Sequence, residues 1–119
     1  MATADEILEA LNDYRSQCNG NARLRKMQKD WTKRIHLEAA DCPSKFTMVI
    51  NQGEITDIKT GLDGSPDIVV NADSETFCDI FWGDLNPTSK YLSGELKIKG
   101  SQEDIMRLDA ISAVIWPEE

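Results

Sequence analysis

Near residue 33 the spacing of apolar residues changes from three or four to two, and that switch excludes both an all-helical and an all-sheet chain. Upstream of it, Ile7, Leu8, Leu11, Tyr14 and Cys18 recur at helical spacing, and Thr3 with Glu6 three residues later forms a capping box, so a helix is predicted over residues 4–18. Asn19-Gly20-Asn21 interrupts it with a bend at Gly20. Leu24, Met27 and Trp31 then predict a second helical stretch. Downstream, Ile35, Leu37 and Ala39 alternate with Arg34, His36 and Glu38 as in a half-buried strand. Asp41-Cys42-Pro43-Ser44 turns the chain into a second strand carrying Phe46, Met48 and Ile50. Asn51-Gln52-Gly53 turns it again into a third, with Ile55 and Ile58 and a weaker alternation to Thr60. Turns this short join antiparallel neighbours, so these strands are expected to form a meander.

The rest of the chain mixes both patterns. Gly61 to Asp67 is a loop by its glycines, aspartates and proline, and Ile68-Val69-Val70-Asn71-Ala72 reads as a fourth strand. Asp73 is placed to cap a short helix holding Phe77, Cys78, Ile80, Phe81 and Trp82, too apolar for a single stripe and expected to be covered on more than one side. Gly83 ends it. Asn86-Pro87 opens another short helix with Tyr91 and Leu92, which Gly94 stops. Leu96 and Ile98 alternate with lysines in a fifth strand. Ser101 and Asp104 then start a last helix in which Ile105, Leu108, Ile111, Ser112 and Ile115 keep helical spacing until Pro117. The fold class is α+β, and 119 residues suit one domain, expected to span residues 1–119.

Charge and composition narrow the function. A net charge of −8 argues against nucleic acid, whose phosphates need a basic surface. The charge is uneven, because Arg23, Arg25, Lys26, Lys29, Lys33 and Arg34 face only Asp30 within residues 23–34. This basic stretch is a solvated helix face, or a docking spot for anionic headgroups or an acidic, lipid-metabolising partner. Cys18, Cys42 and Cys78 are too few and too scattered for a disulfide framework or a zinc site, and are read as reduced thiols. No apolar run reaches the ~20 residues of a membrane span, the N-terminus lacks a basic lead into a hydrophobic stretch, and the chain does not end in Ser-Lys-Leu, so a cytoplasmic location is expected. His36 is the single histidine, with no argued nucleophile beside it, and no phosphate loop or metal motif occurs. Neither catalysis, nor a metal, nor a cofactor is expected.

Residues 82 to 101, Trp82-Gly83-Asp84-Leu85-Asn86-Pro87 through Tyr91, Gly94, Leu96-Lys97-Ile98-Lys99 and Gly100-Ser101, carry a glycine, an Asn-Pro pair, an aromatic, a second glycine and an alternating strand ending in glycine. In that order and spacing they resemble the signature of the sterol carrier protein family. The resemblance extends over nearly the whole chain. It implies a five-stranded mixed, mainly antiparallel sheet with helices packed on one face, enclosing a hydrophobic tunnel. It further implies non-catalytic binding and transfer or storage of a fatty acid, acyl-CoA, phospholipid or sterol.

Apolar volume is the main requirement for such a task. The candidate lining is Phe77, Phe81, Trp82, Tyr91, Leu92, Ile98, Ile105, Leu108 and Ile115 from the second half of the chain, with Met48 and Ile50 from the sheet. Tyr91 is the best polar candidate, since its ring can line a tunnel while its hydroxyl meets a headgroup or a water. The competing expectation is an accessory interaction module that keeps the fold, fills the interior and presents Arg23 to Arg34 to a partner.

Overall fold

Thr3 begins the first helix as its spacing requires. Its hydroxyl accepts the Glu6 N–H at 3.2 Å while the Glu6 carboxylate accepts the Thr3 N–H at 3.0 Å, closing the capping box at the start of α1 (Ala4–Asn19). The computed structural model describes residues 1–117. After Gly20, Asn21 caps α2 (Ala22–Met27), which is shorter than its apolar spacing predicts. Leu24 is buried, Met27 is exposed, and Trp31 is buried beyond the helix end as part of a turn rather than on a helical stripe. The basic stretch is therefore not one helix face. Arg23, Arg25 and Lys26 lie on α2, whereas Lys33 and Arg34 belong to the first strand.

Five strands form one sheet: β1 (Lys33–Ala39), β2 (Lys45–Asn51), β3 (Glu54–Thr60), β4 (Ile68–Ala72) and β5 (Lys97–Lys99), in the order β3-β2-β1-β4-β5. The meander β1-β2-β3 is antiparallel, β4 runs parallel to β1, and β5 is antiparallel to β4. The sheet is thus mixed and mainly antiparallel, as the resemblance implies. Gln52 and Gly53 both take positive φ in the two-residue turn between β2 and β3, the backbone shape that matches hairpin twist. At Gly53 a side chain would also meet the Gln28 carbonyl oxygen at 2.7 Å, so the turn and the end of α2 close on each other only with glycine there.

The weak alternation of β3 has a geometric cause. Met48 faces Ile58, yet Ile50 faces Ile55, so the pairing slips by one residue at Thr56. This bulge turns Ile55 and Ile58, three residues apart, to the same side of the sheet. The end of α1 holds it in place. Asn19 donates to the Ile55 carbonyl and accepts the Ile55 N–H, both at 2.9 Å, and Arg15 donates to the Thr56 carbonyl at 3.0 Å.

From the edge strand β3 the chain must cross β2 and β1 to reach β4, and it does so over the face opposite the helices. The Thr47 hydroxyl donates to the Gly61 carbonyl and accepts the Asp63 N–H, Arg34 reaches the Asp63 carbonyl at 2.9 Å, and Asp67 accepts the Arg34 N–H. His36 Nε2 lies 3.0 Å from the same Asp63 carbonyl. Thr47 and His36 are buried beneath this crossover, although alternation alone assigns them to an open face.

The remaining helices are α3 (Ser74–Trp82), α4 (Pro87–Ser93) and α5 (Gln102–Ile115). Gly83 ends α3 in the left-handed conformation, and a side chain there would meet the Trp116 indole at 2.7 Å. Asp41 receives the N–H of Ser74 and its hydroxyl, both at 2.9 Å, and fixes where α3 begins. α5 is clamped to the segment before β1 by polar contacts. The Trp31 indole N–H donates to Asp104 at 2.9 Å, Lys33 pairs with the same carboxylate at 3.4 Å, and Arg107 bridges Asp30 and Gln28. Burial pushes the Asp104 carboxyl upward, but the bonds from Trp31 and Ser101 and the Lys33 charge outweigh it and hold the group below its ordinary value.

Candidate functional site

The helix-facing residues of the sheet come from the alternation itself. Ile35 sits opposite Met48 and Ile68, and Val70 lies beside both Leu37 and Ile98, so these side chains share one face. Above part of that face the helices leave a cavity of about 300 Å³. Its floor is Ile35, Leu37, Met48, Val70 and Ile98. Tyr14 of α1 and Phe77, Ile80 and Phe81 of α3 form one wall, and Tyr91 and Leu92 of α4 form another with Leu96 and Ile105, Met106 and Leu108 of α5.

Aromatic packing shapes one end. Tyr14 meets Phe81 edge-on with ring centroids 5.0 Å apart, Trp116 lies 5.6 Å from Tyr14, and Phe77 stacks on Phe81 at 6.1 Å. Burial raises the Tyr14 hydroxyl well above the ordinary phenol range. It also pushes the Cys18 thiol, one turn along α1, up to about 12. Both stay neutral at physiological pH, so this end carries no charge.

Pro87, Thr88, Asp109, Ser112 and Trp116 border the apolar cavity and also a second, wider recess of about 630 Å³, whose other residues are Gly83, Leu85, Asn86, Ala113 and Pro117. The Thr88 hydroxyl donates to the Asp109 carboxylate across this shared border. The apolar chamber thus shares a border with a second recess, an antechamber whose lining mixes apolar and polar residues.

Most of the lining expected from the sequence converges here. Met48, Phe77, Phe81, Tyr91, Leu92, Ile98, Ile105 and Leu108 border the cavity. Three candidates do not. Ile50 is buried in the core at the end of β2, opposite Ile55 where Asn19 ties α1 to the sheet. Trp82 follows Phe81 by one position, a turn of about 100° around the helix, and is 40% exposed. Ile115 lies one turn beyond Ile111 on α5 and packs on the core, while Ile105, Leu108, Asp109, Ser112 and Trp116 meet the cavity.

Further lining residues escaped the sequence reading although a signal existed for several. Ile35, Leu37 and Val70 follow from the same alternation as Met48, and Tyr14 from the stripe of α1. Ser112 carried a weaker signal, its helical spacing with Ile105 and Leu108, whereas Thr88 and Asp109 had none, because polar residues on a helix ordinarily face water. His36 lies on the opposite sheet face, under the crossover loop. Of the basic stretch, Arg25 pairs with Glu54, Lys33 with Asp104 and Arg34 with Asp63, so half of it is tied to this chain's own carboxylates. Among the described residues no group of three or more metal-ligating side chains comes together, and no helix is long and apolar enough to cross a membrane.

Comparison with known proteins agrees with this architecture. The crystal structure of sterol carrier protein 2 superposes with a TM-score of 0.67 at 18% identity, covering 93% of this chain and 96% of that one. The sterol carrier protein domain 2 of Helicoverpa armigera gives 0.69 at 15% identity, covering 96% and 91%. Palmitated SCP2L2 from Aedes aegypti gives 0.61 at 17% identity, covering 96% and 95%. At these identities the likeness is one of fold. In sequence, the chain is 39% identical over 49 residues to hydroxysteroid dehydrogenase-like protein 2 of Danio rerio, covering 41% of this chain and only 12% of that protein. The sequence model of the SCP-2 sterol transfer family matches residues 11–112, nearly the full length from α1 to α5, and the chain belongs to that family of lipid carriers.

Proposed function

We propose that this chain is a non-catalytic carrier that binds one apolar lipid, with its tail in the chamber between the sheet and α3 to α5, and transfers or stores it in the cytoplasm. The observation that carries this reading is a cavity of about 300 Å³ walled by aliphatic and aromatic side chains, within the range of small-ligand pockets. A chain placed there gains ~0.8 kcal/mol per buried methylene, so ten methylenes supply about 8 kcal/mol before ordering and association costs, and binding tighter than roughly millimolar draws on a longer buried tail or on headgroup contacts as well. Met48, Phe77, Phe81, Ile98, Ile105 and Leu108 are the tail contacts in this reading, and Tyr91 and Leu92 guard the exposed side. The palmitated relative supports an acyl-sized guest. The accessory-module reading requires a filled interior, and the cavity stands against it.

The test is extraction of the purified chain followed by mass spectrometry, with displacement of a fluorescent acyl probe. Copurified lipid and a displaceable probe are the expected results. Absence of both would refute the carrier reading.

A further inference from the structure

Among the described residues, the only charged one bordering either recess is Asp109, and none is a lysine, arginine or histidine. The cations nearest in sequence are engaged elsewhere: Lys90 reaches Glu95 at 2.9 Å, and Arg107 pairs with Asp30 and Glu103. Backbone donors around the antechamber are also taken. Asn86 Oδ1 accepts the N–H groups of Thr88 and Ser89 at 2.9 and 3.2 Å, the Asp79 carbonyl accepts those of Asp84 and Leu85, and Gly83 donates to the Ile80 carbonyl. An anion at this border would meet a carboxylate and no cation. A hydroxyl or an ammonium would meet an acceptor, with the Thr88 and Ser112 hydroxyls beside it.

From this juxtaposition of an apolar chamber and a cation-free, acceptor-bearing border, we propose that Asp109, with Thr88 and Ser112, selects the lipid headgroup. The preferred ligand carries a hydrogen-bond-donating head without negative charge, such as a long-chain or ring alcohol or a long-chain amine, over a free carboxylate of equal length. This rests on the carrier reading above, in which the tail occupies the chamber and the head lies at its border. Physically, the like-charge contact weighs against a fatty acid, while a donor head can bond to the Asp109 oxygens.

Titration calorimetry of the full chain with lauryl alcohol, laurylamine and laurate, each as monomer near neutral pH, tests the assignment in wild type, Asp109→Asn and Asp109→Lys. The ratio of variant to wild-type affinity for each ligand cancels the ligands' different water solubilities. In Asp109→Lys, laurate affinity is expected to rise about tenfold and laurylamine affinity to fall by a similar factor, with the alcohol changing about threefold or less. Asp109→Asn is expected to lower laurylamine affinity while retaining the alcohol. Asp109 is exposed, and unchanged melting curves would show that both variants fold. If the three ligands bind but their ratios move together, the headgroup assignment is wrong and the carrier reading survives. If none binds wild type, both are wrong.

Discussion

The molecule has two kinds of interior. Between α1 and the β2-β3 side of the sheet the interior is filled by the chain's own side chains: Ile7, Leu11, Cys18, Leu24, Ile50 and Ile55 are all buried, and Asn19 bonds directly to β3. Against β4 and β5, α4 buries none of its residues and α5 buries only Asp104 and Ile111. The first region is stabilised by its own side chains. The second is pinned at its ends by caps and polar clamps, and leaves room between. A lipid carrier needs this division, because an element that must yield to a guest cannot also be the one that holds the fold together.

Truncating a side chain in each region should break the symmetry most visibly. Leu11→Ala removes volume from the packed region and is expected to cost about 2–5 kcal/mol in urea unfolding. Leu92→Ala, on a residue 79% exposed at the chamber's rim, should stay within about 0.5 kcal/mol. Similar costs at both positions would mean that the wall is as structural as the core.

The clamp comes next. Asp104→Ala leaves the buried Trp31 N–H without its acceptor and Lys33 without its partner, and is expected to cost about 1–3 kcal/mol. Because folding lowers the Asp104 value below the ~3.9 of an unfolded aspartate, its stabilisation is complete above that value and is lost as pH falls through the folded one. The stability gap between wild type and Asp104→Asn should therefore hold at neutral pH and close in acid. A gap that grows in acid would contradict the sign.

Adding volume sharpens the contrast. Leu108→Trp should fill the chamber, abolish acyl-probe fluorescence and change stability by about 1 kcal/mol or less, whereas Leu11→Phe overpacks the core and should cost about 1–3 kcal/mol with probe binding intact. Cys18 gives the smallest expected signal. Its thiol, held at about 12 by burial, should resist alkylation at pH 8 until the chain unfolds, while half-buried Cys42 reacts sooner.

How far the sequence foretold this structure depends on whether a feature was local. Caps at Thr3, Asp73, Asn86 and Ser101 and the left-handed glycines Gly83 and Gly94 were legible because each is decided within a few residues. The bulge at Thr56 left a trace, an alternation that lost step between Ile55 and Ile58. The crossover loop left none, since the burial of His36 and Thr47 depends on residues 61 to 67 passing over them. At the site, the floor residue Met48 was legible from parity, but Ile50 of identical parity is not at the cavity, because what lies above each residue is tertiary information. Asp109 was invisible for the opposite reason: its helical position is ordinary, and only the neighbouring Thr88 makes it part of a border.

The most direct test of a chamber that admits a lipid tail is an isotope-filtered nuclear Overhauser measurement. It uses methyl-labelled protein and an unlabelled long-chain alcohol, or the lipid that copurifies with the chain. Contacts from the alkyl chain to methyl groups of Val70, Ile98, Ile105 and Leu108, with none to Ile50, Ile55 or Leu24, are the predicted result. Alkyl contacts confined to exposed methyls such as Leu62, or no intermolecular contacts at saturating ligand, would contradict it.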